Sequence, residues 1–217
     1  MTVMNKANTL IVLGTAHRMR EPGKCSPDRR IKECVYSREI CKEVASKLRS
    51  YGYKVEIDYE PLDLPRTMQS SNVLQERNRE LAMRVNYVNE LCRQNGSKNV
   101  LYVSVHINAA GSDDKWHDAK GWQVCVSTKA SQSSKLLADC LFDAAKANGL
   151  KMRQPTLLQK YWPQSLYVLN STNCPAVLTE NLFQDNKADV DYLLSEVGRH
   201  TIARLHVEGI ISYINKN

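Results

Sequence analysis

Four side chains that can bind a metal or carry protons are spread along the sequence: His17, Glu33, His106 and Glu180. Two histidines and one carboxylate form a common ligand set for catalytic zinc, which leaves one coordination position for water. A second carboxylate that does not bind the metal can then act as general base on that water. The residue types alone leave open which glutamate would have which role. They predict a hydrolytic zinc site if the fold brings all four together.

Each of these residues also has an ordinary structural explanation. A single histidine at the end of a buried segment, such as His106, is usually half-buried and bonded to a nearby carbonyl. Glu33 at the start of a helix would interact favourably with the helix dipole. Glu180 would serve equally as a helix cap or as a surface residue after a strand. The zinc hypothesis therefore depends on all four residues reaching the same edge of the fold.

Apolar runs and amphipathic periodicity alternate along the chain. Predicted strands cover residues 9–17, 99–106, 122–127 and 175–181, with a further strand after Gly52. Predicted helices cover residues 31–50, 73–95, 131–149, 186–195 and 196–216. This order predicts a single α/β domain over residues 1–217, with a largely parallel central sheet and helices on both faces. Ligands bind such sheets beyond the carboxyl ends of the strands, where His17, His106 and Glu180 are predicted.

Composition narrows the class of protein. The chain has 217 residues, of which 42% are hydrophobic, which is enough for one core, and no stretch approaches the roughly 20 apolar residues of a membrane span. A net charge of +7 favours an anionic partner, which could be nucleic acid, a membrane or a polyanionic cell envelope. Without a dense Lys/Arg run or an aromatic-basic signature, nucleic acid is not expected as a partner. Seven cysteines without a C-x-x-C pair indicate reduced thiols.

Three segments resemble the zinc-dependent N-acetylmuramoyl-L-alanine amidases of the amidase 3 type: "LGTAHRMREPGK…IKE", "YVSVHINA" and "PAVLTENLFQDN". In that family a histidine follows the first strand, a glutamate opens the first helix, S-x-H-x-N-A ends a central strand, and P-A-V-L-x-E carries the catalytic acid. The resemblance implies Zn²⁺ bound by His17, Glu33 and His106, with Glu180 as the catalytic residue. It also implies hydrolysis of the amide between N-acetylmuramic acid and the L-alanine of the peptidoglycan stem peptide.

The chain departs from the family around the first histidine. The family usually has Gly-His-Gly there, whereas Ala16 and Arg18 flank His17 in this sequence. The substitution places a cation beside the implied metal and makes the loop less flexible. We expect it to affect substrate preference more than zinc binding.

The polar loop at 111–121 directly follows the second implied histidine ligand and is predicted to form a rim of the site. Asn108, Trp116 and Arg153 are candidate substrate-binding residues. His117 lies in the same loop, but the implied ligand set is already complete, so we predict that it does not bind the metal.

The N-terminal segment carries one early lysine and a short apolar run without a small-residue cleavage site, which is typical of a strand and not of a secretory signal. We therefore expect synthesis in the cytoplasm, followed by action on the cell wall after release, as for a phage or prophage endolysin, or by action on imported muropeptides. Two other functions stay open. They are a different zinc amide hydrolase, such as a carboxypeptidase or deacetylase, and a catalytically inactive cell-wall-binding module.

Overall fold

A six-stranded sheet forms the centre of the fold. The computed structural model describes residues 6–216. Residues 1–5 and Asn217, at the two ends of the predicted domain, lie outside the described residues. The strands are β1 Leu10–Thr15, β2 Lys54–Ile57, β3 Val100–Asn108, β4 Gln123–Ser127, β5 Trp162–Gln164 and β6 Ala176–Phe183. The helices are α1 Glu33–Ser50, α2 Val73–Asn95, α3 Gln132–Ala147, α4 Tyr167–Asn170, α5 Lys187–Leu194 and α6 Glu196–Lys216.

The strand order is β2-β1-β3-β6-β4-β5. Strands β2, β1, β3 and β6 are parallel, β4 runs antiparallel to β6, and β5 is parallel to β4. This confirms the predicted α/β fold with a largely parallel sheet. It also makes β1, β3 and β6 neighbours, which are the three strands that lead to the predicted chemical residues.

Helices cover both faces of the sheet, as predicted. On one face, α1, α3 and α6 pack against strand residues such as Leu13 and Val103. On the other face, α2 and α4 pack against Val12 and Tyr102, which directly precede Leu13 and Val103 in sequence. This follows from the alternation of side chains along a strand. Runs that are apolar at every position are therefore buried on both sides.

The strand boundaries near the candidate residues differ from the predicted ones. β1 ends at Thr15, because His17 has a φ of 43°, a left-handed conformation that cannot continue a strand. β3 and β6 both continue beyond the predicted ends, because their parallel pairing extends through His106 opposite Glu180. A register shift follows His106, as at a β-bulge. His106 and Glu180 therefore lie inside β3 and β6, short of their carboxyl ends, whereas His17 follows β1.

The cysteines agree with the predicted reduced state. All seven are free thiols, and five of them are buried. None of the described helices is both long and apolar enough to cross a membrane.

Candidate active site

His17, Glu33 and His106 converge at the carboxyl edge of the sheet. Each offers one possible ligand atom, and these atoms all lie within 4.8 Å of one another. Nε2 of His17 is 3.3 Å from Oε2 of Glu33, and Nδ1 of His106 is 3.0 Å from Oε1 of Glu33. The two imidazole rings stand nearly perpendicular, with centroids 5.1 Å apart. The carboxylate thus lies between two imidazoles, in an arrangement suited to a divalent metal.

A change of polarity along one sheet face creates the site. Tyr102, Ser104 and His106 point to the face that α2 and α4 cover, and so do Leu178 and Glu180 on the neighbouring strand. The apolar residues of this face meet the helices, whereas the polar residues nearer the carboxyl ends line a cavity of about 270 Å³. The same alternation that builds the core therefore brings the polar side chains into one cavity.

Glu33 is the buried centre of the group. It begins α1, its side chain is 1% exposed, and its Oε1 accepts a hydrogen bond from the Ile107 amide at 3.1 Å. Burial opposes its ionisation, but the charge of His17 and contacts with both histidines outweigh burial and hold its pKa well below the ordinary value. Oε2 is buried, and among the described residues it faces Nε2 of His17 at 3.3 Å without a well-aligned hydrogen bond. A buried anionic oxygen in this situation fits coordination to a cation.

The two histidines have different electrostatic surroundings. Burial would lower the pKa of His17, but the negative charge of Glu33 and the contact with Glu21 outweigh it and raise that pKa to about 9. Burial lowers the pKa of His106 below its ordinary value, against the influence of Glu33. Without a metal, His17 is therefore protonated at neutral pH. A metal ion held by this nitrogen would take the place of that proton.

Glu180 lies beside this group on β6. Its Cα pairs with that of His106 across the two parallel strands, and the residue lines the same cavity. Its Oε2 is buried and has no hydrogen-bond partner within residues 6–216. Burial and the negative charge of Glu33 raise its pKa to about 8. A cation held by the neighbouring ligands would favour its ionised form and so allow it to accept a proton.

Sequence reasoning missed several charged residues that line the cavity. Glu21 lies four positions after His17, and its Oε2 is 3.7 Å from Nδ1 of that histidine. Arg77 donates to the other oxygen of Glu21 at 2.6 Å. Lys24 also lines the cavity, and no hydrogen bond or ion pair of its side chain is found in the described part of the chain. The sequence signal for Glu21 is weak, because it lies in a loop without periodicity and nothing around it marks it as a partner of His17.

The candidate substrate-binding residues lie away from this cavity. Asn108, Trp116 and Arg153 are not among its lining residues. The guanidinium of Arg153 stacks 4.8 Å from the Phe183 ring centroid, and Trp116 is 39% exposed. The ring of His117 contacts an aspartate of its own loop and lies outside the three-residue group. The proposed substrate contacts of the first three residues stay predictions.

Known proteins similar to this chain include a phage endolysin and two amidases of known structure. The endolysin of Bacillus phage SPP1 is 34% identical over 123 residues, which cover 57% of this chain and 43% of that protein. The CwlD amidase from Clostridioides difficile, solved in complex with the GerS lipoprotein, has 24% identity and a TM-score of 0.78, with 97% of this chain and 100% of that one covered.

The amidase AmiC2 of Nostoc punctiforme shows the same fold at 19% identity, with a TM-score of 0.73 and coverage of 97% and 99% of the two chains. At these identities the solved structures show the fold alone. The family model described as N-acetylmuramoyl-L-alanine amidase matches residues 11–212, nearly the whole chain. This chain therefore belongs to the N-acetylmuramoyl-L-alanine amidase family, of the amidase 3 type.

Proposed function

We propose that this chain is a zinc-dependent peptidoglycan amidase that hydrolyses the amide between N-acetylmuramic acid and the L-alanine of the stem peptide. The observation that carries the proposal is the group of His17, Glu33 and His106 beside Glu180, within a chain of this family. The match covers less than half of the phage endolysin, so the activity of the whole protein belongs to the proposal.

Zinc fits the residues present. The three side chains offer two imidazole nitrogens and one carboxylate oxygen, the donor set that catalytic zinc sites use while keeping a position open. The burial of Glu33 supplies the independent observation, because a carboxylate that is 1% exposed is costly unless cationic groups lie next to it, and Oε2 has only the His17 ring, 3.3 Å away, beside it among the described residues. His17, Glu33 and His106 would therefore hold the ion.

The reaction then follows from the position of Glu180. Zinc, when bound, supplies Lewis acidity that polarises the scissile carbonyl and acidifies water. Glu180 faces the same cavity, and its Oε2 has no hydrogen-bond partner among residues 6–216, so it is free to accept a proton from the attacking water. It then delivers this proton to the departing amine of L-alanine, because an amine leaves poorly unless it is protonated. The apolar residues Leu81, Val168 and Leu178 line the same cavity.

We further propose a lytic role of the endolysin kind, with synthesis in the cytoplasm and action on the wall after release. The partial identity to a phage endolysin supports this role. The net charge of +7 also suits a polyanionic envelope. In the alternative, the enzyme acts on imported muropeptides.

A comparison of small substrates tests the proposed bond. We expect the zinc-loaded protein to release L-alanyl peptide from a soluble muramoyl-L-alanyl peptide, and to leave the same free peptide and acetylated amino-sugar oligomers intact. Glu180→Gln is the matched control, since it preserves size and zinc ligands. Cleavage of the free peptide would indicate a carboxypeptidase, and release of acetate would indicate a deacetylase. Zinc binding without hydrolysis of any substrate would indicate a wall-binding module.

A further inference from the structure

The backbone around His17 is held in an unfavourable conformation by charged side chains from two helices. Its φ of 43° lies in the left-handed region, which a histidine seldom adopts without support. Arg38 of α1 donates to the His17 carbonyl at 3.0 Å, and Arg84 of α2 donates to the same oxygen at 3.3 Å. Arg38 also donates to the carbonyl of Ala16 at 2.8 Å. The turn therefore depends on guanidinium groups from outside it.

Arg18, the next residue, is the centre of a buried ion network. Its side chain is 2% exposed and is surrounded by three carboxylates. Nε donates to Glu76 at 3.0 Å and Nη1 to Glu80 at 3.0 Å, both on α2, and Nη1 also contacts Glu21 closely. One guanidinium thus ties the turn after β1 to the first half of α2. A buried cluster of this kind is stable only when every charge has its partners.

The network continues through α2 into the sheet. The second oxygen of Glu80 accepts from Nη2 of Arg84 at 3.0 Å, and Nη1 of Arg84 donates to Asp58 at 2.7 Å. Asp58 in turn accepts from the Tyr102 hydroxyl at 2.9 Å. Glu80, one of the carboxylates around Arg18, is therefore connected through Arg84 and Asp58 to Tyr102 of β3.

Glu21 connects this network to the metal ligand. Its side chain is fully buried, and Oε2, the oxygen that Arg18 contacts, lies 3.7 Å from Nδ1 of His17. The other ring nitrogen, Nε2, faces Glu33. A carboxylate behind a histidine ligand sets the tautomer and the orientation of its ring. Arg18 contacts the oxygen that faces His17, whereas Arg77 holds the other oxygen of the same carboxylate.

We propose that Arg18 is a positioning residue for the metal site: it fixes Glu21, and through Glu21 the ring of His17, to helix α2. The inference rests on the proposed zinc site but concerns a residue that does not touch the metal. Arg18 is the cation that departs from the family pattern beside the first histidine. The inference gives it a role in ligand geometry rather than in substrate contact. Arg18 is not among the residues that line the cavity.

Zinc affinity in solution tests this. Arg18→Lys keeps the charge, but a single ammonium group cannot replace the planar fork that reaches Glu21, Glu76 and Glu80 together. We expect its Kd for Zn²⁺, measured by competition with a chelating dye, to rise about 10- to 100-fold. We also expect its Co²⁺ derivative to show a shifted absorption band. Arg93→Lys is the matched control, because Arg93 is 74% exposed and pairs only on the surface of α2.

A second pair of variants tests the inference if Arg18→Lys does not fold. Glu76→Gln weakens one side of the network on α2, and Glu90→Gln changes an exposed acid of the same helix. We expect a smaller rise in Kd for Glu76→Gln and none for Glu90→Gln, with both proteins folded by circular dichroism. If the folded Arg18 and Glu76 variants bind Zn²⁺ like the parent and show an unshifted Co²⁺ band, the inference is wrong, even if they unfold at lower temperature. Failure of the parent itself to bind Zn²⁺ would instead contradict the proposed function.

Discussion

Glu33 and Glu180 are two carboxylates beside the same histidines, yet their surroundings differ. Glu33 contacts both imidazoles and has a depressed pKa, which suits a ligand that is always ionised. Glu180 has no hydrogen-bond partner for Oε2 in the described region, and its pKa is raised to about 8, which suits a group that gains and loses a proton. The same residue type therefore has two environments that predict two roles.

The first prediction separates these roles. Glu180→Gln removes the proton acceptor but keeps the size of the side chain, so we expect normal zinc content and a loss of turnover of about a hundredfold or more. Glu33→Gln removes a charged ligand, so we expect weak zinc binding, with part of the activity recovered at high added zinc. Elemental analysis and turnover on a soluble muramoyl-peptide measure both effects. A Glu180→Gln protein nearly as active as the parent would exclude Glu180 as the base.

The second prediction concerns the histidines. His106→Ala removes one of three ligands, so we expect the purified protein to lose its zinc, and the same holds for His17→Ala. His200→Ala is the control, because that side chain is 66% exposed on α6 and pairs with Glu43. His117→Ala should also keep zinc, since its ring contacts Asp113. Full zinc occupancy in His106→Ala would disprove the proposed ligand set.

At the scale of elements, helix α6 contributes a buried histidine that has no part in the chemistry. His206 is fully buried; its Nδ1 donates to the Ile202 carbonyl at 2.7 Å, and its Nε2 lies 2.9 Å from the Thr179 hydroxyl. The neutral ring satisfies both contacts, and burial lowers its pKa to about 4. The contact joins α6 to strand β6, next to Glu180.

The third prediction follows from that pKa. The unfolded chain binds a proton at His206 near pH 6.5, whereas the folded chain does so only near 4. Folding stability is therefore lost as the pH falls from about 6.5 towards 4, by roughly 3 kcal/mol in total from this residue. Urea unfolding of the metal-free parent and of His206→Gln at several pH values measures the difference. Parallel pH curves for the two proteins would show that His206 does not cause the loss.

Helices and strands were predictable where burial leaves a periodic pattern of apolar residues in the sequence. The long helix over 73–95 and the buried strands follow directly from such patterns. β5 escaped prediction, because three residues that include Pro163 at the sheet edge carry no periodicity. The antiparallel direction of β4 was equally hidden, since an apolar run is the same in both directions.

The candidate site was also predictable only in part. The positions of His17, Glu33, His106 and Glu180 were predictable, because each lies near the carboxyl end of a strand or at the start of a helix that the sequence marks. The ion network around Arg18 was not, because its partners come from distant parts of the chain and only the fold brings them together. A buried helix face made of charges, as in the first half of α2, resembles a solvent-exposed face in sequence.

At the scale of the whole molecule, the surplus of positive charge predicts how the protein reaches its substrate. If the charge of +7 draws the protein to an anionic wall, activity on whole sacculi should fall with added salt, since screening shortens the reach of the field. Activity on a small soluble muramoyl-peptide should change little. Turbidity and product-release assays over a range of salt concentrations compare the two. If activity on both substrates were equally sensitive to salt, the effect of salt would lie at the active site or in the stability of the protein.

The most direct test of the whole account identifies the bond that is cut. Purified peptidoglycan is incubated with the zinc-loaded protein and with Glu180→Gln, and the soluble products are analysed by mass spectrometry and by labelling of new amino groups. The account predicts stem peptides with a free N-terminal L-alanine, glycan strands with unsubstituted lactyl carboxylates, and neither product from the Glu180 variant. New reducing sugar ends, or cleavage within the stem peptide with the lactyl amide intact, would contradict it.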